Sequence, residues 1–379
     1  MLYLDVCATT PVREEVIKSI TDVMAKHYGN PSSIHRFGVE ADKLVAKARQ
    51  IVAEGLDCLP AEILFTSSGT ESNNLAVKGA AYANRSRGRH LITTQIEHAS
   101  VYESFKQLEQ EGFEVTYLPA DSTGAVSLDD LKTALREDTI LVSIMHVNNE
   151  MGRIQPVKEI GAFLLERPRT LFHVDAIQSY GKLAFTPQEI GADLMSASAH
   201  KFRGPKGTAF LYRREGVRLA TLLAGGGQEF GLRSGTENVP LLVGMAKAAR
   251  LVVEEQATAF HKLHGLRKRL AAGLADIPGL IVSGADDPTL MAPHIVHFTL
   301  DDVRSEVLVH ALEEADIYVS ARSACSSGSI VPSRVLLSMG MSEERAVSGI
   351  RVSFSPEQTP QDMDHFVDEL KKAVQRLRM

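Results

Sequence analysis

Short apolar runs recur through the first half of the chain with a helical pattern between neighbours: Ile63-Leu-Phe65, His90-Leu-Ile-Thr93, Glu114-Val-Thr-Tyr-Leu118, Ile140-Leu-Val-Ser-Ile-Met145 and Leu171-Phe-His-Val174. Strands that alternate with helices are joined by crossovers, and the crossovers cover both faces of a sheet. The expectation is an α/β fold with a mostly parallel central sheet covered by helices. Beyond it, Val252 to Leu274 reads as a charged helical connector. A second, smaller α+β unit follows, with strand candidates Leu280-Ile-Val-Ser283, His294-Ile-Val-His297 and Ile350-Arg-Val-Ser-Phe354. Near the C-terminus, Met363, Phe366, Leu370, Val374 and Leu377 fall on one helical face, which marks a packed helix rather than a loose tail. At 379 residues and 44% apolar content, the chain is long enough to bury two cores.

The charge and the cysteines exclude several functions. A net charge of -6 without long basic runs argues against nucleic acid as the main ligand. No apolar stretch approaches the roughly 18 residues that span a bilayer, and the N-terminus lacks a basic region followed by an apolar core. The expectation is a cytoplasmic protein with no membrane partner. Cys7, Cys58 and Cys325 have no paired spacing, which fits a reducing compartment and suggests neither a zinc motif nor a disulfide framework.

Chemistry concentrates at strand ends. The run Asp193-Leu-Met-Ser-Ala-Ser198 closes on Ala199-His200-Lys201-Phe202, so Lys201 stands where a strand ends and a Gly-Pro turn begins. Such a lysine is either a surface residue or a crevice residue whose amine is activated for imine chemistry by burial and nearby cations. Upstream, Leu171-Phe-His-Val-Asp175-Ala-Ile-Gln178 ends a strand on a carboxylate. Asp175 either caps a helix or points into the ligand crevice of an open α/β sheet. In the second case it can keep a pyridine nitrogen protonated, with Gln178 donating to the ring's phenolic oxygen. A third segment, Thr66-Ser-Ser-Gly69-Thr70-Glu-Ser-Asn-Asn74, leads a strand through small hydroxylated residues into a helix, a start that suits an anion. It is neither a P-loop nor a dinucleotide fingerprint. With Ser198 and His200 beside Lys201, these parts would hold pyridoxal 5'-phosphate: an imine lysine, a partner for the ring nitrogen and a phosphate seat.

On these residues the chain resembles the group I, NifS/IscS-like cysteine desulfurases of the class V aminotransferase family. The resemblance runs from Tyr3-Leu-Asp-Val-Cys-Ala-Thr-Thr-Pro11 and Gly29-Asn-Pro-Ser-Ser-Ile-His35 through Glu97-His98 and Asn148-Asn149-Glu150 to Arg233-Ser-Gly-Thr236, Ser323-Ala-Cys325 and Ile350-Arg351. It implies a fold-type I pyridoxal-phosphate-dependent transferase, with a large cofactor-binding domain over 13–250. The small domain would combine 1–12 with 251–379 and carry the Cys325 loop. It further implies that His98 stacks on the cofactor and moves protons, and that Asn149 contacts both cofactor and substrate. Arg351 would hold the substrate carboxylate with its planar fork. Thr236 would reach the phosphate from a neighbouring subunit, making a homodimer, and Asn30 and His35 would line the substrate entrance.

The expected reaction follows from that set. L-cysteine displaces Lys201 from the cofactor, the freed amine takes the Cα proton, and the thiolate of Cys325 attacks the substrate sulfur. The products are L-alanine and a persulfide on Cys325, which passes its sulfur to an acceptor protein of an iron–sulfur or tRNA-thiolation pathway. Alternatives are a selenocysteine lyase or other class V enzyme using the same cofactor, and a cofactor-binding scaffold without turnover. The chain departs from the family pattern at Arg322, Phe230 and Val331, positions that bear on the thiol and on acceptor docking, and at Ser68, where glycine is frequent.

Overall fold

The computed structural model describes residues 1–321 and 332–378; Arg322, Cys325 and Val331 lie outside the described residues. Seven strands form the main sheet in the order Ile63–Thr66, Ala209–Arg213, Leu194–Ser198, Leu171–Asp175, Thr139–Met145, His90–Thr94 and Glu114–Leu118. Only Ala209–Arg213 runs against its neighbours, so the sheet is mostly parallel, as the strand–helix alternation requires. Helices on both faces explain the sequence pattern. Every residue of Leu171–Asp175 and of Thr139–Met145 is buried, and such strands read as continuous apolar runs. The edge strand Glu114–Leu118 is buried only at Leu118, which accounts for its charged and hydroxylated residues.

The antiparallel strand was not expected from the sequence. After Leu194–Ser198 the chain makes a short 3-10 turn, Ala199–Lys201, and returns directly as Ala209–Arg213 without a crossover helix. Two residues in left-handed backbone conformation, Arg203 (φ 67°) and Gly207 (φ 83°), turn it back. This return holds Lys201 at the carboxyl edge of the sheet. Thr66, Thr94, Met145, Asp175 and Ser198 end their strands on that same edge, where open α/β sheets bind ligands.

A second sheet is antiparallel, in the order Ile350–Ser353, Ile295–Leu300 and Leu280–Val282. The N-terminal strand Leu2–Tyr3 pairs with Ile317–Tyr318, and Leu2 and Leu4 join the apolar cluster of this unit with Leu263, Phe298, Phe366 and Leu370. The last helix, Pro360–Leu377, buries Met363, Phe366, Leu370 and Val374, with Leu377 partly buried against the same cluster. The single connector expected over Val252 to Leu274 is corrected: the structure has two helices, Val239–Glu254 and Gln256–Leu274, meeting at Glu255. No glycine or proline marks this joint. Glu255 instead accepts hydrogen bonds from both terminal nitrogens of Arg13, at 2.7 and 2.5 Å, a long-range clamp that periodicity does not reveal.

Candidate active site

The carboxyl edge of the large sheet and the N-terminal segment enclose a cavity of about 180 Å³. It gathers Gly69, Thr70, His98, Asn149, Asp175, Gln178, Ser198, His200, Lys201 and Arg351. Residues from six separate stretches of sequence, each expected to serve one site, thus share one volume. Asn30, His35 and Thr236 do not line it within a single chain. Asn30 accepts the backbone N–H of Ser32, and His35 caps the helix Arg36–Glu54. Thr236 borders a separate cleft with Arg233, Gly235 and Glu229.

Lys201 Nζ donates to the carbonyls of Cys7 and, at 2.9 Å, Ala8. Cys7 also accepts from Gln178 Nε2 at 3.1 Å, so the N-terminal segment braces two of the expected site residues. Gln178 Oε1 is buried with no hydrogen-bond partner, a cost of about 1–3 kcal/mol unless a ligand donor meets it.

Asp175 is 4% exposed and ends the fourth strand of the sheet. Its carboxylate accepts from the Ile177 N–H at 3.0 Å and from Asn73 Nδ2 at 2.8 Å. Burial pushes the carboxyl up, and those two hydrogen bonds, with the charge of Lys201, pull it back. Both hydrogen bonds come from neutral donors, and among the described residues no cation lies within salt-bridge distance of this carboxylate. Asn73 extends the network, donating to Ser100 Oγ at 2.9 Å, and Ser100 meets His98.

His98 is the residue before the helix Ala99–Gln110, and its Nδ1 accepts the Ser100 N–H at 3.1 Å. That bond leaves the ring proton on Nε2. Burial, then the charges of Lys201, Arg334 and Arg351, lower its pKa to about 4, so the ring is neutral near pH 7. Beside it, Glu97 accepts from the Met145 N–H at 2.8 Å and Thr94 Oγ1 at 3.1 Å, while its second oxygen is unpartnered. Burial first and Asp175 second push Glu97 up to about 8.

Arg351 enters the cavity from the second sheet, 3% exposed. It donates to the Asn149 carbonyl and to Asp5 Oδ1, both at 2.8 Å, and its Nε is buried without a partner. Its backbone exchanges hydrogen bonds with Ser320 at 2.8 and 3.2 Å. On the far side of the undescribed stretch, Arg334 donates to the carbonyls of Gln95 and Glu97 and lies 3.8 Å from the Tyr102 ring centroid. Ser333 donates to Glu150 Oε2 at 2.5 Å. The described residues nearest Cys325 on both sides are therefore bound to elements that carry Arg351, His98 and Asn149.

Sequence reasoning did not single out Asn73, Ser100, Asp5 or the Cys7 carbonyl. Asn73 carried a usable signal: it lies one helical turn after Gly69 on the helix Gly69–Asn84 and so shares its face. A backbone carbonyl and a long-range acid such as Asp5 leave no such trace.

A mostly parallel sheet with a lysine, a buried strand-end acid and an anion-suited helix start at one edge defines a cofactor-dependent α/β enzyme. The chain belongs to the class V aminotransferases, whose family pattern, Aminotransferase class-V, it matches over residues 2–366. It is 44% identical to a "NifS/IcsS protein homolog" of Lactobacillus delbrueckii subsp. bulgaricus, covering 97% of this chain and 95% of that protein. It is also 42% identical to a "Cysteine desulfurase IscS" of Clostridium botulinum, covering 100% of this chain and 95% of that one. Among solved structures, a "NIFS-LIKE PROTEIN" superposes with a TM-score of 0.93 at 39% identity, covering 99% of both chains.

The cofactor of this family, pyridoxal 5'-phosphate, fits the residues present. The cavity offers an amine and a buried carboxylate without a salt-bridged cation among the described residues, while Gln178 spends its amide nitrogen on the Cys7 carbonyl rather than leaving it free for a phenolic oxygen. A Cβ on Gly69 would lie 2.4 Å from Ile177 Cδ1, so the helix start closes against the strand end with no side chain between them. The N–H groups of a helix's first turn have no partners within the helix and favour a phosphate.

Proposed function

We propose that the chain is a pyridoxal-phosphate-dependent cysteine desulfurase that converts L-cysteine to L-alanine, receives the sulfur on Cys325 and passes it to an acceptor protein. The observation that carries this reading is the pairing, in one cavity, of Lys201 with a buried Asp175 carboxylate held only by neutral donors. A buried carboxylate without a cation is costly unless a ligand brings the opposite charge.

In this reading Lys201 would carry the cofactor, Asp175 would keep a proton on its ring nitrogen, and Gln178 would lie on the side of its phenolic oxygen. Gly69, Thr70, Ser198 and His200 seat the phosphate. The bound cofactor supplies an electron sink for the pair left at the substrate Cα. Arg351, fixed by Asp5 and the Asn149 carbonyl, binds the substrate carboxylate, and Asn149 flanks it. The Lys201 amine would take the Cα proton, and neutral His98 would lie against the cofactor ring and move protons to and from the substrate. The thiolate of Cys325 attacks the substrate sulfur: a sulfur–sulfur bond forms, the Cβ–sulfur bond breaks, and its electron pair goes to the carbon side.

A homodimer is part of the proposal. Thr236 then reaches the phosphate from the partner, a role supported by its separation from the cavity of its own chain, and Asn30 and His35 line the substrate entrance. Next to Asn30 and His35 in the chain, Ile34 and Phe37 are exposed, the latter stacked on Tyr28 at 5.6 Å. The proposed partition is a large domain over 13–250 and a small one of 1–12 with 251–379, and the separate apolar cluster joining Leu2 and Leu4 to Phe366 supports it. The acceptor is a scaffold or tRNA-thiolation protein in the cytoplasm. No helix among the described residues is long and apolar enough to cross a membrane.

Alanine formation from L-cysteine tests this reading. The wild-type chain releases alanine, whereas Lys201→Ala lacks the visible absorbance of the bound cofactor and releases none. A Lys201→Ala protein that kept both would overturn it.

A further inference from the structure

Lys201 borders a second cleft, on the side of its peptide where Lys182, Arg13, Arg203, Glu255 and His294 meet apolar residues such as Val252 and Phe354. Within it, Lys182 Nζ donates to the carbonyl of Lys201 at 2.9 Å. The surrounding charges leave Lys182 uncompensated. Glu255 is engaged by Arg13, and Arg203 is paired with Glu357. Among the described residues no carboxylate lies within salt-bridge distance of Lys182. His294 is fully buried with neither ring nitrogen hydrogen-bonded, and burial, followed by the charges of Lys182, Arg267 and Arg351, keeps it neutral.

We propose that Lys182 is a positioning residue for Lys201: its ammonium fixes the carbonyl of the turn, and its unbalanced charge favours the unprotonated amine that Lys201 needs to bond the cofactor. This rests on Lys201 being the cofactor lysine. The charges acting on each other are reciprocal. Burial lowers Lys182 to about 8, with Cys7 opposing the shift and Lys201 adding to it. On the turn itself, His200 is held neutral by burial and by Lys201, Lys206 and Lys182. Across the cavity Asp175 is the acid that favours the charged amine, while His98 is neutral and Arg351 is paired with Asp5. Lys182 offsets Asp175 from the opposite side. A second cation beside a lysine is an established way to make its amine nucleophilic near neutral pH.

The test is the rate at which the full chain, freed of cofactor, takes up pyridoxal phosphate at different pH values. In that step the amine nitrogen bonds to the aldehyde carbon and the aldehyde oxygen leaves as water, which requires the unprotonated amine. Removing the neighbouring cation makes protonation easier, so in Lys182→Met the half-maximal pH moves upward. A shift of about one unit makes uptake near pH 7 about tenfold slower. Lys182→Arg, which keeps the charge, retains the wild-type midpoint and shows that the site still folds. An unchanged midpoint in Lys182→Met, or uptake slowed equally at every pH, would overturn the charge effect. Borohydride trapping followed by mass spectrometry separates this from the underlying reading: label on a lysine other than Lys201 would sink that reading instead.

Discussion

Asp175 and Arg351 are both strand residues, both nearly inaccessible, and both border the same cavity, yet the two sheets hold them in opposite ways. Arg351 comes with its counter-charge, Asp5, at 2.8 Å. Among the described residues, Asp175 is hydrogen-bonded only by an amide N–H and the Asn73 side chain, each within 3.0 Å. A paired buried charge is complete before a ligand arrives and serves as a fixed, geometrically defined clamp. A carboxylate held by neutral donors lacks its charge partner and gains one when a protonated ring nitrogen binds. In the proposed reading, the large sheet supplies the residue that depends on the cofactor, and the small sheet supplies the residue ready for the substrate.

Replacing the unpaired member has the largest expected effect. Asp175→Asn keeps the shape and removes the charge, and kcat falls by roughly 10²–10³-fold, the scale of losing one oriented electrostatic group in a water-excluded site. The bound cofactor's visible spectrum changes with it, while KM moves little. If kcat held and KM alone rose, the contrast with Arg351 would fail. Arg351→Ala should lower kcat/KM about 10²-fold, mostly through KM, because a buried charge pair loses one partner and Asp5 is stranded. Cofactor uptake by that variant stays near wild type.

The smallest effect concerns Glu97, which precedes His98 in the chain and feels the charge of Asp175. Its folded pKa of about 8 exceeds that of an ordinary unfolded glutamate, so between about pH 4.5 and 8 the native state binds one proton that the unfolded state has lost. Stability therefore falls as pH rises through that window, by up to about tenfold in the unfolding constant per pH unit for one proton. Denaturant melts of Glu97→Gln across this range should show a flatter dependence than the wild type. Equal slopes would place the raised pKa on another group.

The parallel sheet was legible because strands covered on both faces are rich in apolar residues along their whole length, and Leu171–Asp175 and Thr139–Met145, buried at every residue, are mostly apolar. The return strand Ala209–Arg213 was not, since its direction depends on a turn set by two left-handed residues rather than on strand composition. Within the cavity, Lys201, Asp175 and Gln178 could be named because each ends or follows a strand with a chemistry-bearing side chain, whereas His98 and Arg351 come from the family resemblance. Asp5, Asn73 and the Cys7 carbonyl act through the folded geometry. They are distant in sequence from the groups they orient, and one is a backbone atom. The joint at Glu255 belongs to the same class, since its hydrogen-bond partner Arg13 lies 242 residues away.

The most direct test of the account follows the sulfur itself. Mass spectrometry of the holoenzyme after L-cysteine, with the peptide containing Cys325 isolated, should show one added sulfur atom on that residue, discharged by a reducing thiol and absent from Cys325→Ala. That variant should still display the visible absorbance of its cofactor. Added sulfur on Cys7 or Cys58 instead, or an undiminished persulfide in Cys325→Ala, would contradict the assignment of this chain as a desulfurase acting through Cys325.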